Sequence, residues 1–218
     1  ALVDFSYTFE QGKLYFILGH NGSGKSTLLN ILSAVERPSQ GTLTYNGISV
    51  SFRDPEYRKN LGYLAHYLYL YPHLTGFENA LFFSGLYGIE NSEKECLRLL
   101  KEFRLFEAKD KTINQYSRGM LQKLAFLRST IHLPKILLLD EPFTGLDFEA
   151  RKIFLEKISE MIQKNTMIIA TTHDLEVLST FQSTVIVLKD GMLQFSEEGI
   201  FSAKRLTEIL SQENSSRL

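Results

Sequence analysis

Cysteine is nearly missing from this sequence, which contains a single one, Cys96, among 218 residues. One thiol excludes an internal disulfide framework and a zinc site built from four thiolates. No spacing of histidine, cysteine and aspartate is typical of a zinc site either. This cysteine usage indicates a reducing compartment, most simply the cytoplasm, and we expect Cys96 to pack within a helix.

Strong charge of either sign is also lacking, because the formal net charge is -1. This balance does not indicate a nucleic-acid partner. No uncharged apolar run approaches the ~20 residues that a membrane-spanning helix needs, and residues 1–10 lack the basic start and apolar stretch of a signal peptide. We expect the chain to be soluble by itself, with docking on a membrane protein left open.

The sequence does have a large apolar fraction, 44%, and it is arranged in alternating strand and helix patterns. Short apolar runs typical of buried strands cover residues 14–18, 136–139, 167–170 and 185–188. Residues 5–9 alternate apolar and polar side chains, as in a half-buried strand. The alternation of strands with helical stripes predicts an α/β core with a largely parallel sheet.

The character of the chain changes to mostly helical between residues 75 and 132. Residues 75–78 and 92–95 both fit a capping box, which marks the start of a helix. We therefore predict a single domain over residues 1–218. Its α/β core would comprise residues 1–74 and 133–218, and residues 75–132 would form an inserted helical subdomain.

A glycine-rich segment follows the predicted strand 14–18, fits G-x-x-x-x-G-K-[ST] and opens a predicted helix. Its glycines let backbone N–H groups turn toward phosphate oxygens, and the helix N-terminus adds positive potential. We expect Lys25 to reach the β- and γ-phosphates and the Ser26 hydroxyl to bind Mg²⁺. The predicted nucleotide-binding residues are Gly19, His20, Asn21, Gly22, Ser23, Gly24, Lys25, Ser26 and Thr27.

Two carboxylates, Asp140 and Glu141, end the predicted strand 136–139. Open α/β sheets bind their ligands at the carboxyl edge, where these side chains are expected. Asp140 would hold the Mg²⁺ shell, and Glu141 would polarise the attacking water. Taken alone, the pair could also be a strand end followed by a charged cap. It therefore indicates a catalytic site only in combination with the phosphate loop.

The order of these motifs, with three later ones, resembles the ABC ATPases over essentially the whole chain. Residues 116–120, YSRGM, look like the family signature usually written L-S-G-G-Q. Residues 142–147 are similar to the run into the family's D-loop, with Asp147 as its aspartate. Residues 171–174 resemble the switch segment, in which His173 would contact the γ-phosphate. The resemblance implies a P-loop NTPase fold and ATP hydrolysis with Mg²⁺.

The signature segment predicts a dimer. Ser117 and Gly119 at a helix N-terminus offer a hydroxyl, N–H groups and a dipole to an anion. The resemblance implies that this anion is the γ-phosphate of ATP held by a second copy, which gives an ATP-dependent head-to-tail homodimer. Arg118 and Met120 depart from the common pattern. Arg118 is either a charge beside the anion site or a solvated surface arginine.

The glutamine of the family's Q-loop has no counterpart here. His66 stands in its place after the predicted strand 61–65, a feature similar to the haem-exporter ATPase of cytochrome c maturation. We count His66 among the predicted nucleotide-site residues. The tyrosines that follow, Tyr67, Tyr69 and Tyr71, could receive a helix of a membrane subunit or could pack within the fold.

The resemblance also places an early strand and an adenine-stacking aromatic further upstream of the phosphate loop than this chain extends. We do not transfer that stacking role to Tyr7. Recognition of the base is therefore the least supported part of the predicted site, and a reduced nucleotide affinity is expected.

The leading functional prediction is the ATP-binding subunit of an ABC transporter, working with a separate transmembrane permease subunit at the cytoplasmic face of the cell membrane. The absence of an appended domain fits an exporter. A soluble ABC-type ATPase of an assembly system is an alternative, whereas the coiled coils of repair members and the double cassette of translation members are missing. A nucleotide-dependent switch with little turnover is a further alternative, which Glu141 and His173 disfavour.

Overall fold

The structure is a computed structural model that describes residues 2–215, with only the backbone described for residues 211–215. A six-stranded sheet has the order β4-β5-β6-β1-β7-β8, and every neighbouring pair is parallel except β7 and β8. A separate hairpin consists of β2 and β3. The strands are β1 (Leu14–Leu18), β2 (Thr44–Tyr45), β3 (Ile48–Ser49), β4 (Leu61–Leu64), β5 (Ile136–Asp140), β6 (Met167–Thr171), β7 (Ser183–Lys189) and β8 (Met192–Gly199).

The helices connect these strands and cover the sheet. Three longer helices, α3, α4 and α5, lie between β4 and β5 in the chain, together with 3₁₀ turns at Phe106–Ala108 and Ile113–Gln115. The helices are α1 (Lys25–Leu32), α2 (Pro55–Lys59), α3 (Gly76–Leu86), α4 (Ser92–Glu102), α5 (Arg118–Thr130), α6 (Phe148–Gln163), α7 (Leu175–Leu178) and α8 (Ala203–Ser215). The predicted α/β fold with a mostly parallel sheet is confirmed.

Hydrophobic cores lie on both faces of the sheet because its central strands are buried throughout. In β1, Leu14, Phe16 and Leu18 face one core, whereas Tyr15 and Ile17 face the other. Such a strand reads as a continuous apolar run, since both of its faces are covered. The parallel arrangement brings the carboxyl ends of β1, β4, β5 and β6 to one edge.

Of the two capping boxes predicted at helix starts, one is confirmed and the other was wrong. Thr75 and Glu78 form the predicted capping box: the Thr75 hydroxyl accepts from the Glu78 N–H, and the Glu78 carboxylate accepts from the Thr75 N–H. The second capping box, at residues 92–95, was wrong. Asn91, in the left-handed region, precedes α4, and Ser92 already belongs to the helix and donates its hydroxyl to Ile89 O.

The predicted strand at residues 5–9 was also wrong, although its alternation of burial is real. Phe5, Tyr7 and Phe9 are half-buried and the residues between them are exposed, yet the segment belongs to no sheet. Its attachment is through side chains: the Tyr7 hydroxyl bonds the Ser196 hydroxyl at 2.9 Å, and the ring of Phe9 meets that of Tyr15 at 4.9 Å. An alternating pattern reports burial and does not by itself supply a hydrogen-bonding partner strand.

Two further observations concern packing and length. Cys96 is fully buried in α4, as expected for a packing residue. Within residues 2–215, none of the helices combines the length and the apolar character required to span a bilayer.

Candidate functional site

The phosphate loop connects β1 to α1 and depends on glycine backbone geometry. Gly24 precedes α1 with φ of 107° and caps the helix without a side-chain hydrogen bond. Gly19 has φ of 142°, and a Cβ atom there would lie 2.2 Å from Leu188 O. The first turn of α1 contains no acidic residue. The N–H groups and the dipole at this helix start can therefore act on an anion from outside the loop.

Lys25 is 8% exposed and lies inside this loop. Its Nζ donates to Gly19 O at 2.7 Å and to His20 O at 3.1 Å. These two bonds compensate the burial of the ammonium and hold it against the loop backbone. A phosphate oxygen bound by the loop would meet a cation that is already positioned.

The turn between β7 and β8 supports the phosphate loop, a contact that the sequence analysis missed. Gly191 N donates to Ser23 O at 3.0 Å, and His20 Nε2 lies 3.5 Å from an Asp190 carboxylate oxygen. His20 is exposed. The parallel pairing of β1 with β7 brings this turn beside the loop, and no local sequence pattern announces that pairing.

Asp140 and Glu141 follow β5, next to the end of β6. The Thr171 hydroxyl donates to Asp140 Oδ1 at 2.7 Å and accepts from the Glu141 N–H at 3.0 Å. Thr171 thereby orients both acidic residues from the neighbouring strand, directly opposite Asp140 in the register. Thr171 belongs to the predicted switch segment 171–174, but its contact with the two acidic residues follows only from the strand order.

Glu141 is held in an unusual conformation beside His173. Its φ is 49°, in the left-handed region, which costs a residue with a side chain about 1–3 kcal/mol. Its Oε1 is buried and receives no hydrogen bond from the described residues, although His173 Nε2 lies 3.3 Å away. The two groups are close without good hydrogen-bond alignment. A strained, unsatisfied carboxylate in a cleft is suited to accept a proton from a bound molecule.

An open cleft of about 1760 Å³ brings several predicted residues together. Both acidic residues and His173 line it together with the phosphate loop. The predicted residues among its walls are Asn21, Gly22, Gly24, Lys25, Ser26, Thr27, His66, Asp140, Glu141 and His173. Gly19, His20, Ser23, Ser117, Gly119 and Asp147 are not among the lining residues.

The donors on the cleft wall fit a magnesium ion. Asp140 and Ser26 both line the cleft and offer a carboxylate and a hydroxyl oxygen. Mg²⁺ prefers oxygen ligands and keeps several waters, so few protein ligands suffice. The residues in positions 2–215 contain no group of three or more His, Cys, Asp and Glu side chains that could hold a metal ion. Such a site would therefore depend on water and the nucleotide for its remaining ligands.

A second surface, here called the signature face, consists of Ser117, Arg118, Gly119, Gly145 and Asp147. Ser117 caps α5 by accepting from Met120 N at 3.3 Å, and Asp147 caps α6 by accepting from Ala150 N at 2.7 Å. A Cβ atom at position 119 would lie 3.9 Å from Asp147 Oδ2. The two helix starts are thus neighbours.

Arg118 is exposed, and its guanidinium lies over the Gly145 backbone. A Cβ atom at position 145 would lie 2.8 Å from Arg118 Cζ and 3.0 Å from its Nε. Arg118 also lines the cleft that contains Glu141 and His173. It therefore connects the signature segment with the loop that follows Glu141, which neither of the two interpretations from the sequence described.

Lys123, one turn further along α5, is a residue that the sequence analysis missed. It is 9% exposed, and burial lowers the pKa of its ammonium, an effect that the nearby charge of Asp147 opposes. Because the Lys123 ammonium is buried near the end of the 141–147 loop, it stabilises the negative charge of Asp147. Its only sequence signal is a lysine within an otherwise apolar helix stripe.

Replacing Gly145 with alanine should lower the free energy of unfolding by about 1–2 kcal/mol. The φ of Gly145 is 74°, where a Cβ atom is strained, and that atom would also displace the Arg118 guanidinium. Urea denaturation of the parent and the variant measures the difference.

Gly85 provides the matched control, since it lies within α3 and a Cβ atom there would meet nothing within 4 Å. Gly85→Ala should raise stability by about 0.5–1 kcal/mol, the opposite sign. If both alanine variants were stabilised, the left-handed conformation assigned to Gly145 would be wrong.

A third feature is an exposed aromatic surface between the end of β4 and α3, which comprises Tyr67, Tyr69, Tyr71, Phe82, Leu86 and Tyr87. The three tyrosines after β4 are 70%, 54% and 45% exposed, which disfavours the alternative in which they pack within the fold. The Tyr71 and Phe82 rings meet at 4.8 Å. The Arg128 guanidinium lies 5.9 Å from the Tyr69 ring centroid. His66 is adjacent in the chain and lines the cleft, so the aromatic surface borders the site.

Comparison with protein families gives a match to the family described as ABC transporter over residues 2–144. The ABC transporter ATP-binding protein NatA of Bacillus subtilis is 32% identical over 214 residues, 96% of this chain and 87% of NatA. The Nod factor export ATP-binding protein I of Burkholderia lata is 32% identical, over 85% of this chain and 62% of that protein. A spermidine/putrescine import ATP-binding protein of Haemophilus influenzae is 31% identical, over 87% of this chain and 52% of its own length.

Solved structures agree with these relatives. The dimeric post-hydrolysis state of the ATP-binding cassette MJ0796, bound to ADP and Pi, superimposes with a TM-score of 0.82 at 27% identity. The match covers 90% of each chain. The arrangement of the sheet and helices is therefore that of an ATP-binding cassette.

Proposed function

This chain belongs to the ABC transporter family, and from that premise we propose that it binds and hydrolyses ATP to drive transport through a separate membrane subunit. The observation that carries the proposal is the arrangement of the cleft, where Lys25 of the phosphate loop shares one space with Asp140, Glu141 and His173. A phosphate-binding lysine, an acid that holds Mg²⁺ and a residue that positions the attacking water are recurring parts of phosphoryl transfer to water.

Each group has a proposed task. The backbone N–H groups of the loop and the start of α1 bind the phosphates, and Lys25, held beside them by the loop carbonyls, contacts the β- and γ-phosphate oxygens. Ser26 and Asp140 would hold Mg²⁺, which neutralises phosphate charge when bound. Glu141 accepts a proton from the attacking water. His173, whose Nε2 lies 3.3 Å from Glu141 Oε1, would contact the γ-phosphate beside the attacking water.

A homodimer completes the site because the signature residues lie elsewhere on the chain. Ser117, Gly119 and Asp147 are outside the cleft lining. The first turn of α5 has no acidic residue, so its N-terminal dipole remains available to an anion. In the proposed head-to-tail pair, the γ-phosphate bound by one copy reaches the Ser117 hydroxyl and Gly119 N–H of the other, and hydrolysis releases the pair.

Ser117→Arg should leave ATP binding by the monomer unchanged and abolish ATP-driven dimerisation. The arginine side chain would fill the space that the partner's phosphate needs. Nucleotide titration followed by light scattering with MgATP measures both properties, in a background that does not hydrolyse ATP.

Ser117→Ala is the control, because both variants lose the cap to Met120 N, worth about 1 kcal/mol, and only arginine adds bulk. Alanine should weaken the dimer less than arginine does. If arginine weakened ATP binding by the monomer itself, Ser117 would act within its own chain, and the contact between copies would be rejected.

The aromatic surface is proposed as the docking site for the membrane subunit. Its rings are exposed and contiguous with His66 at the cleft, so a segment packed there would sense the nucleotide. Docking at this surface would hold the chain at the cytoplasmic face of the membrane. Residues 75–132, which contain α3 and α5, would then be a helical subdomain inserted between core parts 1–74 and 133–218.

Two of the relatives are named for processes as different as Nod factor export and spermidine/putrescine import, so these names share neither a substrate nor a direction of transport. The export prediction and the similarity of His66 to the haem exporter remain predictions from the sequence. Co-purification with a membrane protein would separate the transporter from an assembly ATPase.

A further inference from the structure

Arg151 lies near the start of α6, and its guanidinium forms a bidentate ion pair with Asp174. Arg151 Nη1 donates to Asp174 Oδ2 at 2.6 Å, and Nη2 donates to Asp174 Oδ1 at 3.1 Å. Both side chains are only 27% exposed, so salt screens this pair less than it screens a fully exposed one. The two parallel hydrogen bonds fix the orientation of both partners as well as their distance.

Asp174 directly follows His173 and holds the backbone around it. Its N–H donates to Thr172 Oγ1 at 3.0 Å, and its Oδ1 accepts from Glu176 N at 3.1 Å as the cap of α7. The His173 side chain is exposed, with its Nε2 3.3 Å from Glu141 Oε1. The short loop that Asp174 anchors therefore sets the place of this ring in the cleft.

The other end of the ion pair is fixed to the loop that follows Glu141. Arg151 N donates to Asp147 O at 3.0 Å, and Asp147 caps α6 where the 141–147 loop ends. α6 packs on the core through buried side chains along its length. The ion pair thus joins the end of the loop that begins with Glu141 to the loop that carries His173.

We infer that Arg151 is a positioning residue for ATP hydrolysis, which holds His173 beside Glu141 through its ion pair with the neighbouring carboxylate. This rests on the proposed function, in which His173 contacts the γ-phosphate. Arg151 and Asp174 are not among the residues that line the cleft, so the pair should affect turnover without contributing to the binding of ATP. A reacting group that is misplaced by about 1 Å can cost about 100-fold in rate.

Steady-state phosphate release should show that Arg151→Met lowers kcat by about 10- to 100-fold and changes KM for ATP by less than about threefold. Methionine keeps an unbranched side chain but cannot form the paired hydrogen bonds. Asp174→Asn breaks the same pair from the other side, although its amide oxygen can still cap α7, and it should show the same loss. Thermal unfolding checks that the variants are folded at the assay temperature, and either variant alone suffices for the test.

Lys157→Met is the matched control, because Lys157 lies further along α6 and does not line the cleft. Its side chain is 19% exposed, and its Nζ lies 2.9 Å from Glu102 Oε2. This variant also exchanges a cation for methionine and loses a partly buried ion pair, and it should keep the parental kcat. A loss of kcat equal to that of Arg151→Met would show that any weakening of α6 slows turnover, and the inference would be rejected.

A His173→Ala background separates positioning of the histidine from every other effect of Arg151. In that background, Arg151→Met should change the rate of single-turnover hydrolysis by less than about twofold, because the group that it positions is already missing. A further loss of about 10-fold there, or a parental kcat in Arg151→Met alone, would overturn the inference and leave the proposed function standing. A parent chain that does not hydrolyse MgATP would overturn both.

Discussion

Replacing Glu141 with glutamine should lower ATP hydrolysis at least about 100-fold, the usual contribution of a general base. The amide has nearly the same shape but cannot accept the proton of the attacking water. Glu141 Oε1 has no hydrogen bond within the described part of the chain, so the substitution alters only its 3.3 Å contact with His173 Nε2. ATP affinity should therefore remain. Phosphate release and nucleotide titration measure the two effects.

The same variant should accumulate as a dimer, since ATP binds and is not consumed. Light scattering should show a mass that doubles with MgATP and returns to the monomer value with MgADP. Glu93→Gln, at an exposed position in the first turn of α4, removes an equal charge and should hydrolyse ATP at the parental rate. Undiminished turnover in Glu141→Gln would remove the role assigned to this carboxylate.

Lys25→Ala should weaken ATP binding by about 10- to 100-fold, as expected for the loss of charge-assisted hydrogen bonds to phosphate. The ammonium is almost fully buried in the loop, where Gly19 O and His20 O hold it. Titration with a fluorescent ATP analogue measures the change.

Lys152→Ala serves as the control for Lys25, because its ammonium is exposed and lies 3.9 Å from Glu156 on α6. It removes the same charge and should leave ATP affinity unaltered. Thermal unfolding checks that the loop carbonyls, once uncovered, do not destabilise the fold. If Lys25→Ala bound ATP as tightly as the Lys152 variant, the phosphates would have to be held by the loop backbone alone.

The sequence predicts the positions of Lys25, Asp140 and Glu141, but it does not predict which side chain orients the two acidic residues. The spacing from Gly19 to Ser26 demands a strand before it and a helix after it, and both are present as β1 and α1. Asp140 follows from the apolar run of β5. Neither pattern contains Thr171, which orients Asp140 and Glu141 only because β6 is the neighbour of β5.

Two errors of the sequence analysis have the same physical origin. The 5–9 segment has the alternation of a strand, but a strand also needs a free backbone edge beside it. Ser92 has the spacing of a capping residue, but the left-handed Asn91 starts α4 one residue earlier. Local patterns indicate which side chains prefer burial or the start of a helix. Tertiary contacts decide whether the backbone there pairs with a strand or begins a helix at that residue.

The sequence by itself determined the α/β class, the phosphate loop, the carboxylates after β5 and the histidine after β6, because each depends on residue types at short, fixed spacing. Only the tertiary structure decided the strand order, the hydrogen bond from the β7–β8 turn to the phosphate loop and the position of the Arg118 guanidinium over Gly145. It also left Ser117, Gly119 and Asp147 outside the lining of the cleft while placing Arg118 within it. These relations join residues far apart in the chain, and the packing of whole helices and strands sets their distances.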